Sequence, residues 1–270
     1  MTIKLITIDI DGTLLNSKKE LTFEVKEAIK KAKQQGVHVV LATGRPTVGV
    51  MAFVEELGLN QDDNYVITYN GALIQNVGTK EILKKHPLTH DDYLDIELMS
   101  RKLGVHLHVQ DNDTMYTANT DISKYTIVEA TLTTIPLEYK PVYLMTDKID
   151  IIKAMMVEDE EQLDEAIERL PQEFKERFSV VKSAPYYLEI LNKEATKGDA
   201  VKELAELLNI KQEEIMAIGD NENDLTMIEY AGMGVAMDNA VGFVKDVATH
   251  VTKSHDEHGV AHAINTWVLK

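Results

Sequence analysis

Residues 4–15 read Lys-Leu-Ile-Thr-Ile-Asp-Ile-Asp-Gly-Thr-Leu-Leu (KLITIDIDGTLL), an apolar run that stops on two carboxylates. Lys4 to Ile10 has the pattern of a buried strand, and Asp11-Gly12-Thr13 ends it as a turn. Asp9 and Asp11 lie two residues apart, so on a strand they share a face, although Gly12 can redirect the second. Taken alone, an acidic pair after a strand is most simply a solvated turn. Downstream, Thr22 is placed as a helix N-cap, with Glu24 in the first turn. Val25, Ile29 and Ala32 form the stripe, and Gly36 closes the helix. Val37 to Ala42 is the next strand. Thr43-Gly44-Arg45-Pro46 then turns into a helix through Leu57, with the proline in the first helical turn. Val66 to Tyr69 and Ala72 to Asn76 form a hairpin around Asn70-Gly71. Strand and helix in alternation predict an α/β fold, a doubly wound, Rossmann-like parallel sheet covered on both faces. Such sheets bind ligands at the carboxyl ends of their strands, which places Asp9, Asp11 and Thr43 together.

The rhythm changes between residues 85 and 191. Strands are expected at His106–Gln110, Met115–Ala118, Ile152–Val157, Ser179–Lys182 and Tyr187–Leu191, with helices near Asp91–Leu103, Ser123–Leu132 and Glu160–Leu170. This mixture predicts an inserted α+β unit, an antiparallel sheet with helices on one side. Alternation resumes with a helix from Lys197, a strand Ile215–Ile218, the turn Gly219–Asn223, a helix to Ala231, a strand Met233–Ala236 and a closing helix to Trp267. The expected division is therefore 1–84 plus 192–270 for a core built from both ends of the chain, and 85–191 for the insert.

Composition narrows the function. The 270 residues are 44% hydrophobic and 27% charged, in the range of a folded soluble protein. A formal net charge of -17 disfavours nucleic acid and anionic membranes as partners. There are no cysteines, which excludes thiolate catalysis and thiolate metal sites and fits the cytoplasm. No apolar run approaches a membrane span or a signal-peptide core. Any phosphate site in so acidic a chain must gather positive charge locally.

Such a gathering is legible. Asp220-Asn221-Glu222-Asn223-Asp224 follows an apolar strand and Gly219, so a second acidic cluster falls at a strand's carboxyl end. Two such clusters at one sheet edge repel unless a cation sits among them, and oxygen-only donors suggest Mg²⁺. A carboxylate can then attack phosphorus, with charge offset by Mg²⁺, Lys197, the Thr43 hydroxyl, the Asn223 amide and turn N–H groups opened by Gly12 and Gly44.

At this point the four segments, DxDGT at 9, Thr at 43, Lys at 197 and GDxxxD at 219–224, resemble the haloacid dehalogenase superfamily. Thr43-Gly44-Arg45, Asn70-Gly71-Ala72 and the place of the insertion are similar to its Cof-type phosphatases. The resemblance implies Asp9 as nucleophile and metal ligand. It implies Asp11 as acid and then base, with its backbone carbonyl on the metal. Asp220 is implied as a ligand of Mg²⁺ and Asp224 as the carboxylate that orients metal-bound water without touching the metal, with Ile10 (through its backbone), Thr43, Gly44, Lys197 and Asn223 holding phosphate. It also implies that the insert acts as a cap over a small phosphorylated metabolite, such as a sugar phosphate. A phosphomutase and a non-catalytic phosphometabolite sensor are the alternatives, and the chain is expected as monomer or homodimer. Arg45 is either a surface group or a contact to substrate oxygens. His250, His255, His258 and His262 lack metal-site spacing and read as surface residues. His106 and His108 share one strand face and read as half-exposed strand residues or, if that face looks into a cleft, as substrate contacts, and Asp111-Asn112-Asp113 reads as a polar turn rather than a calcium loop.

Overall fold

The computed structural model describes residues 2–269. In chain order its elements begin with β1 (Leu5–Ile8), α1 (Phe23–Gln34), β2 (His38–Ala42), α2 (Met51–Glu56), β3 (Tyr65–Thr68), β4 (Leu73–Asn76) and β5 (Ile82–Lys85). They continue with α3 (His90–Leu103), β6 (His106–Gln110), β7 (Met115–Thr117), α4 (Lys124–Thr133), β8 (Leu137–Tyr139), β9 (Lys153–Val157), α5 (Glu160–Glu168), α6 (Gln172–Arg177), β10 (Phe178–Ala184) and β11 (Tyr187–Asn192). The last third holds α7 (Lys197–Leu207), β12 (Ile215–Gly219), α8 (Leu225–Tyr230), β13 (Met233–Ala236), α9 (Gly242–Val247), β14 (His250–Val251) and α10 (Gly259–Trp267).

Two compact units result. One comprises the described residues up to Arg45, Val50–Lys84 and the described residues from Thr196 on; the other comprises Pro46–Gly49 and Lys85–Ala195. In the first, eight strands run in the order β14-β13-β12-β1-β2-β3-β4-β5. From β14 to β3 neighbouring strands are parallel, and β4 turns back antiparallel to β3. The four residues of β1 are buried whichever way their side chains point, so helices cover both faces of the sheet. Helix α1 commits Val25, Ala28, Ile29 and Ala32 to that core, and the chain leaves it through Gly36 at φ +80.

In the second unit six strands run β10-β11-β9-β6-β7-β8, antiparallel except for the parallel pair β7 and β8. One face carries Leu107, Val109, Met156 and Ile190 against Ile96 of α3, Leu163 of α5 and Phe174 of α6. The expectation of helices on one side only is corrected here. His108 and Gln110 point to the opposite face, where His108 Nδ1 lies 3.1 Å from Thr126 Oγ1 on α4. Helix α4 turns Thr126, Glu129 and Thr133 inward and leaves Ile127, Val128 and Leu132 exposed. That inversion cancels the amphipathic signal by which a helix's packing side is ordinarily read.

Smaller corrections have local causes. The helix expected directly after Pro46 starts at Met51, because Thr47–Gly49 closes as a 3₁₀ turn around two β-branched residues and a glycine. Strands β5, β8 and β14 are short and mostly exposed, and α6 is a single short helix behind Pro171, so neither period had room to show. The closing segment is two helices with a strand between them rather than one helix.

Candidate active site

Three strand ends bring the acidic groups together. Asp9 follows β1, Thr43 follows β2 and Asp220 follows β12, and β1 lies between the other two in the sheet. The Asp9 N–H still donates to the Ile218 carbonyl at 3.0 Å, so its position is an extension of the strand ladder rather than a free loop. Carboxylate oxygens of Asp9, Asp220 and Asp224 lie within 4.8 Å of one another, the sole such metal-competent group among the described residues.

Lys197, the first residue of α7, has no exposed surface, and its ammonium sits 2.6 Å from Asp9 Oδ1 and 2.6 Å from Asp224 Oδ1. This lysine at a helix start is therefore not a solvated surface group. Burial and the Asp224 carboxylate push Asp9 up to about 8, more than Lys197 pulls it down. Burial likewise raises Asp220 to about 6, against the hydrogen bond donated by Thr13 Oγ1 at 2.7 Å. Burial works against the charge of Lys197, yet Asp224 and Asp9 hold it firmly in the ammonium form. One buried cation therefore leaves the three carboxylates short of positive charge. An all-oxygen, undercompensated site of this kind fits a small hard divalent cation.

Glycines allow the approach. A Cβ at Gly12, whose φ is +87, would lie 2.4 Å from Asp220 Oδ2. Asp224 is fully buried, and its Oδ2 accepts the N–H groups of Asp220 and Asn221 at 2.9 and 3.0 Å. This fixes the loop that carries Asp220.

Asp11 stands differently from Asp9. Its carboxylate is gripped by the Arg45 guanidinium, Nε to Oδ2 at 2.7 Å and Nη2 to Oδ1 at 2.8 Å, and by Lys19 Nζ at 3.1 Å. Partial burial raises its pKa, but these two cations outweigh that and hold it below the usual carboxylate range. Arg45 also stacks over the Phe53 ring at 5.2 Å. It is a partner of Asp11 in this state, which neither reading of Arg45 from the sequence foresaw.

Asn70, which the sequence marks as a turn and as part of the family resemblance but gives no role, stands beside the candidate site. Its Oδ1 accepts from Asn223 Nδ2 at 2.9 Å, and a Cβ on Gly44 would come to 3.0 Å of it, so it links two expected phosphate-binding positions. Tyr69 and Asn70 both have positive φ, 52 and 55, a strained pair held by N–H groups donated to the Arg45 and Thr43 carbonyls. At Gly71 a Cβ would stand 2.1 Å from the Thr196 carbonyl oxygen, so this turn seats directly on the start of α7. Thr43 is buried and its hydroxyl accepts the Arg45 N–H at 3.1 Å, while the Ile10 side chain enters the core.

The histidines near the end take up structural contacts, not wholly on the surface. His258 Nδ1 meets Thr22 Oγ1 and His262 Nδ1 meets Thr252 Oγ1, both at 3.0 Å. In the other unit His106 pairs with Glu158 at 2.7 Å and stays partly exposed, as a half-exposed strand residue would, whereas His108 is fully buried and departs from that reading. Asp111 folds back on the N–H groups of Asp113 and Thr114, the expected polar turn.

With this geometry in hand, comparison with known proteins is direct. The family described as haloacid dehalogenase-like hydrolase matches residues 6–264. A provisionally named phosphatase of Streptococcus pyogenes is 48% identical over 269 residues, covering 100% of both chains. The 5-amino-6-(5-phospho-D-ribitylamino)uracil phosphatase YcsE of Bacillus subtilis is 32% identical over 267 residues, 99% of this chain and 96% of that one. Among solved structures, a haloacid dehalogenase-like hydrolase from Bacteroides thetaiotaomicron superposes with a TM-score of 0.86 at 34% identity, covering 98% of this chain and 99% of the other. No helix among the described residues is long and apolar enough to cross a membrane.

Proposed function

Because this chain belongs to the haloacid dehalogenase-like hydrolases and is a phosphatase of that superfamily, we propose that it is a Mg²⁺-dependent phosphatase of small phosphorylated polyols or sugars, acting through an aspartyl-phosphate on Asp9. The observation that carries the reading is the buried Asp9 carboxylate, held through one oxygen by Lys197 beside Asp220 and Asp224. The polyol class is supported by YcsE, whose named substrate carries its phosphate on a ribityl chain. The cytoplasm, suggested by the cysteine-free sequence, is the proposed compartment.

In this scheme Asp9, Asp220 and the Asp11 carbonyl would hold Mg²⁺, with Asp224 behind them, and the metal would supply neutralisation of phosphate charge. Lys197, Thr43, Gly44, Asn223 and the Ile10 backbone hold the phosphoryl oxygens. A carboxylate oxygen of Asp9 bonds to phosphorus as the ester P–O bond breaks, and Asp11 gives its proton to the departing alkoxide. Water then attacks the aspartyl-phosphate, Asp11 takes its proton, and free phosphate leaves with Asp9 restored. Asp11 cannot carry a proton while Arg45 and Lys19 fill its oxygens. Arg45 therefore exchanges Asp11 for substrate oxygens on binding, which gives it the substrate contact.

The test is phosphate release from a panel of sugar and polyol phosphates, with Mg²⁺ and with chelator, against an Asp9→Asn control. Absence of release above that control overturns the proposal. Conversion of a hexose 1-phosphate to its 6-phosphate without free phosphate replaces it with a mutase.

A further inference from the structure

Asn239 is an exposed residue in the turn after β13, with no charge and no place in the chemistry above. Its surroundings are nevertheless specific. The backbone of the same turn grips the loop that carries Asp220: Met237 N–H donates to the Gly219 carbonyl and Val241 N–H to the Asp220 carbonyl, each at 3.0 Å. From between them the Asn239 side chain reaches the other acidic loop, where Nδ2 donates to the Gly12 carbonyl at 2.8 Å. Its Oδ1 accepts the His255 N–H at 2.9 Å, so the amide is fixed at both ends.

Gly12 is the residue that most needs an external tether. It has positive φ, no side chain to resist rotation, and closest approach to Asp220 in place of a Cβ. It separates Asp11 from Thr13, whose hydroxyl holds Asp220 Oδ1. Rotation of the Gly12–Thr13 peptide withdraws that hydroxyl. It also opens the turn in which Leu14 N–H and Leu15 N–H donate to the Asp9 and Ile10 carbonyls at 3.1 and 3.0 Å.

We infer that Asn239 is a positioning residue for the acidic site, clamping the Gly12 carbonyl so that the Asp9–Thr13 turn and the Asp220 loop keep one spacing. The inference rests on the reading of Asp9 and Asp220 as metal ligands and adds to it a residue that touches neither metal nor substrate. Removing such outer support typically weakens metal affinity by about 10- to 100-fold.

The experiment compares the full-length wild type with Asn239→Ala and Asn239→Asp. The aspartate keeps an acceptor for the His255 N–H but sets a carboxylate against the Gly12 carbonyl. Mg²⁺ itself is titrated by calorimetry, thermal midpoints are taken in its absence, and amide exchange is followed at Leu14 and Leu15. Both variants are expected to bind Mg²⁺ about tenfold more weakly. Exchange at Leu14 and Leu15 is expected to quicken, with metal-free midpoints close to wild type. Unchanged affinity overturns the inference, as does wild-type behaviour of Asn239→Asp alone, and so does unchanged exchange at Leu14 and Leu15. If the wild type itself binds no Mg²⁺, the metal reading fails, and the exchange rates still decide whether Asn239 clamps the turn.

Discussion

Each unit of this protein buries a lysine between two carboxylates, and the two triplets are built in opposite ways. Lys197, at the start of α7, touches Asp9 at the end of β1 and Asp224 in the turn after β12 at 2.6 Å each, where Gly12 and Gly219 leave room for the carboxylates. Lys153 lies mid-sheet on β9, 3.3 Å from Glu189 on β11 and 3.8 Å from Glu129 on α4. Around the second triplet the His108 Nε2 and Gln110 Oε1 atoms are buried without a protein partner. Strand residues are fixed by the ladder, so their charges meet at whatever spacing the sheet sets. Residues at the ends of strands and helices can be brought to contact, provided glycines and strained turns make room. Net charge and burial are common to both triplets; tightness, strain and a third carboxylate mark only the first.

The largest expected effect lies in the first triplet. Asp9→Asn should lower phosphate release by about 10⁴-fold or more while raising the thermal midpoint of metal-free protein, because it removes a carboxylate that burial and the neighbouring Asp224 disfavour. A fall in midpoint with retained activity would break the distinction between the triplets.

Next, Lys153→Met should destabilise the protein by ~3–5 kcal/mol in urea unfolding, since it strands two buried glutamates. Turnover per folded molecule should hardly change.

Lys197→Met should show the reverse emphasis, with turnover reduced by about 10²- to 10³-fold through lost phosphate stabilisation. The loss of stability should be smaller when Mg²⁺ is present to take over part of the charge. Equal effects of the two lysine variants on turnover would erase the functional contrast.

The smallest effect concerns pH. Burial, reinforced by the charge of Lys153, depresses His108 to about 3 from an ordinary value of 6.5. The unfolded chain therefore binds a proton in the window between those values that the folded chain refuses. Stability from this residue is present above pH 6.5 and is lost as pH falls, by about 2 kcal/mol between pH 6.5 and 5. Thermal midpoints at the two pH values, compared with those of His108→Leu, isolate it. An identical acid decline in both proteins would remove His108 from the account.

The sequence made the first triplet visible and hid the second for a physical reason. Asp9, Thr43, Lys197 and Asp220 each stand at the end of a regular segment, so local periodicity and turn chemistry placed them at one sheet edge. Lys153, Glu129 and Glu189 stand inside segments whose apolar pattern says nothing about partners across a sheet. Helix α4 concealed the arrangement further by facing its polar residues inward. The same limit applies to Arg45: its grip on Asp11 spans 34 positions, and no local pattern encodes it. Asn70 was seen as a turn, but its positive φ and its link between Asn223 and Gly44 depend on contacts from α7 and β2 that arise only on folding.

The pairing of Leu5 with Ile215 sets the order in which a growing chain can become an enzyme. During synthesis β1 can find β2 early, but its other edge waits until β12 has left the ribosome, by which time the whole insert has been made. Asp9 then acquires Lys197, Asp220 and Asp224 almost together, from a stretch of chain made after everything else in the site. Until then one edge of the central strand is left without its parallel neighbour, and its backbone N–H and C=O groups are open to pairing.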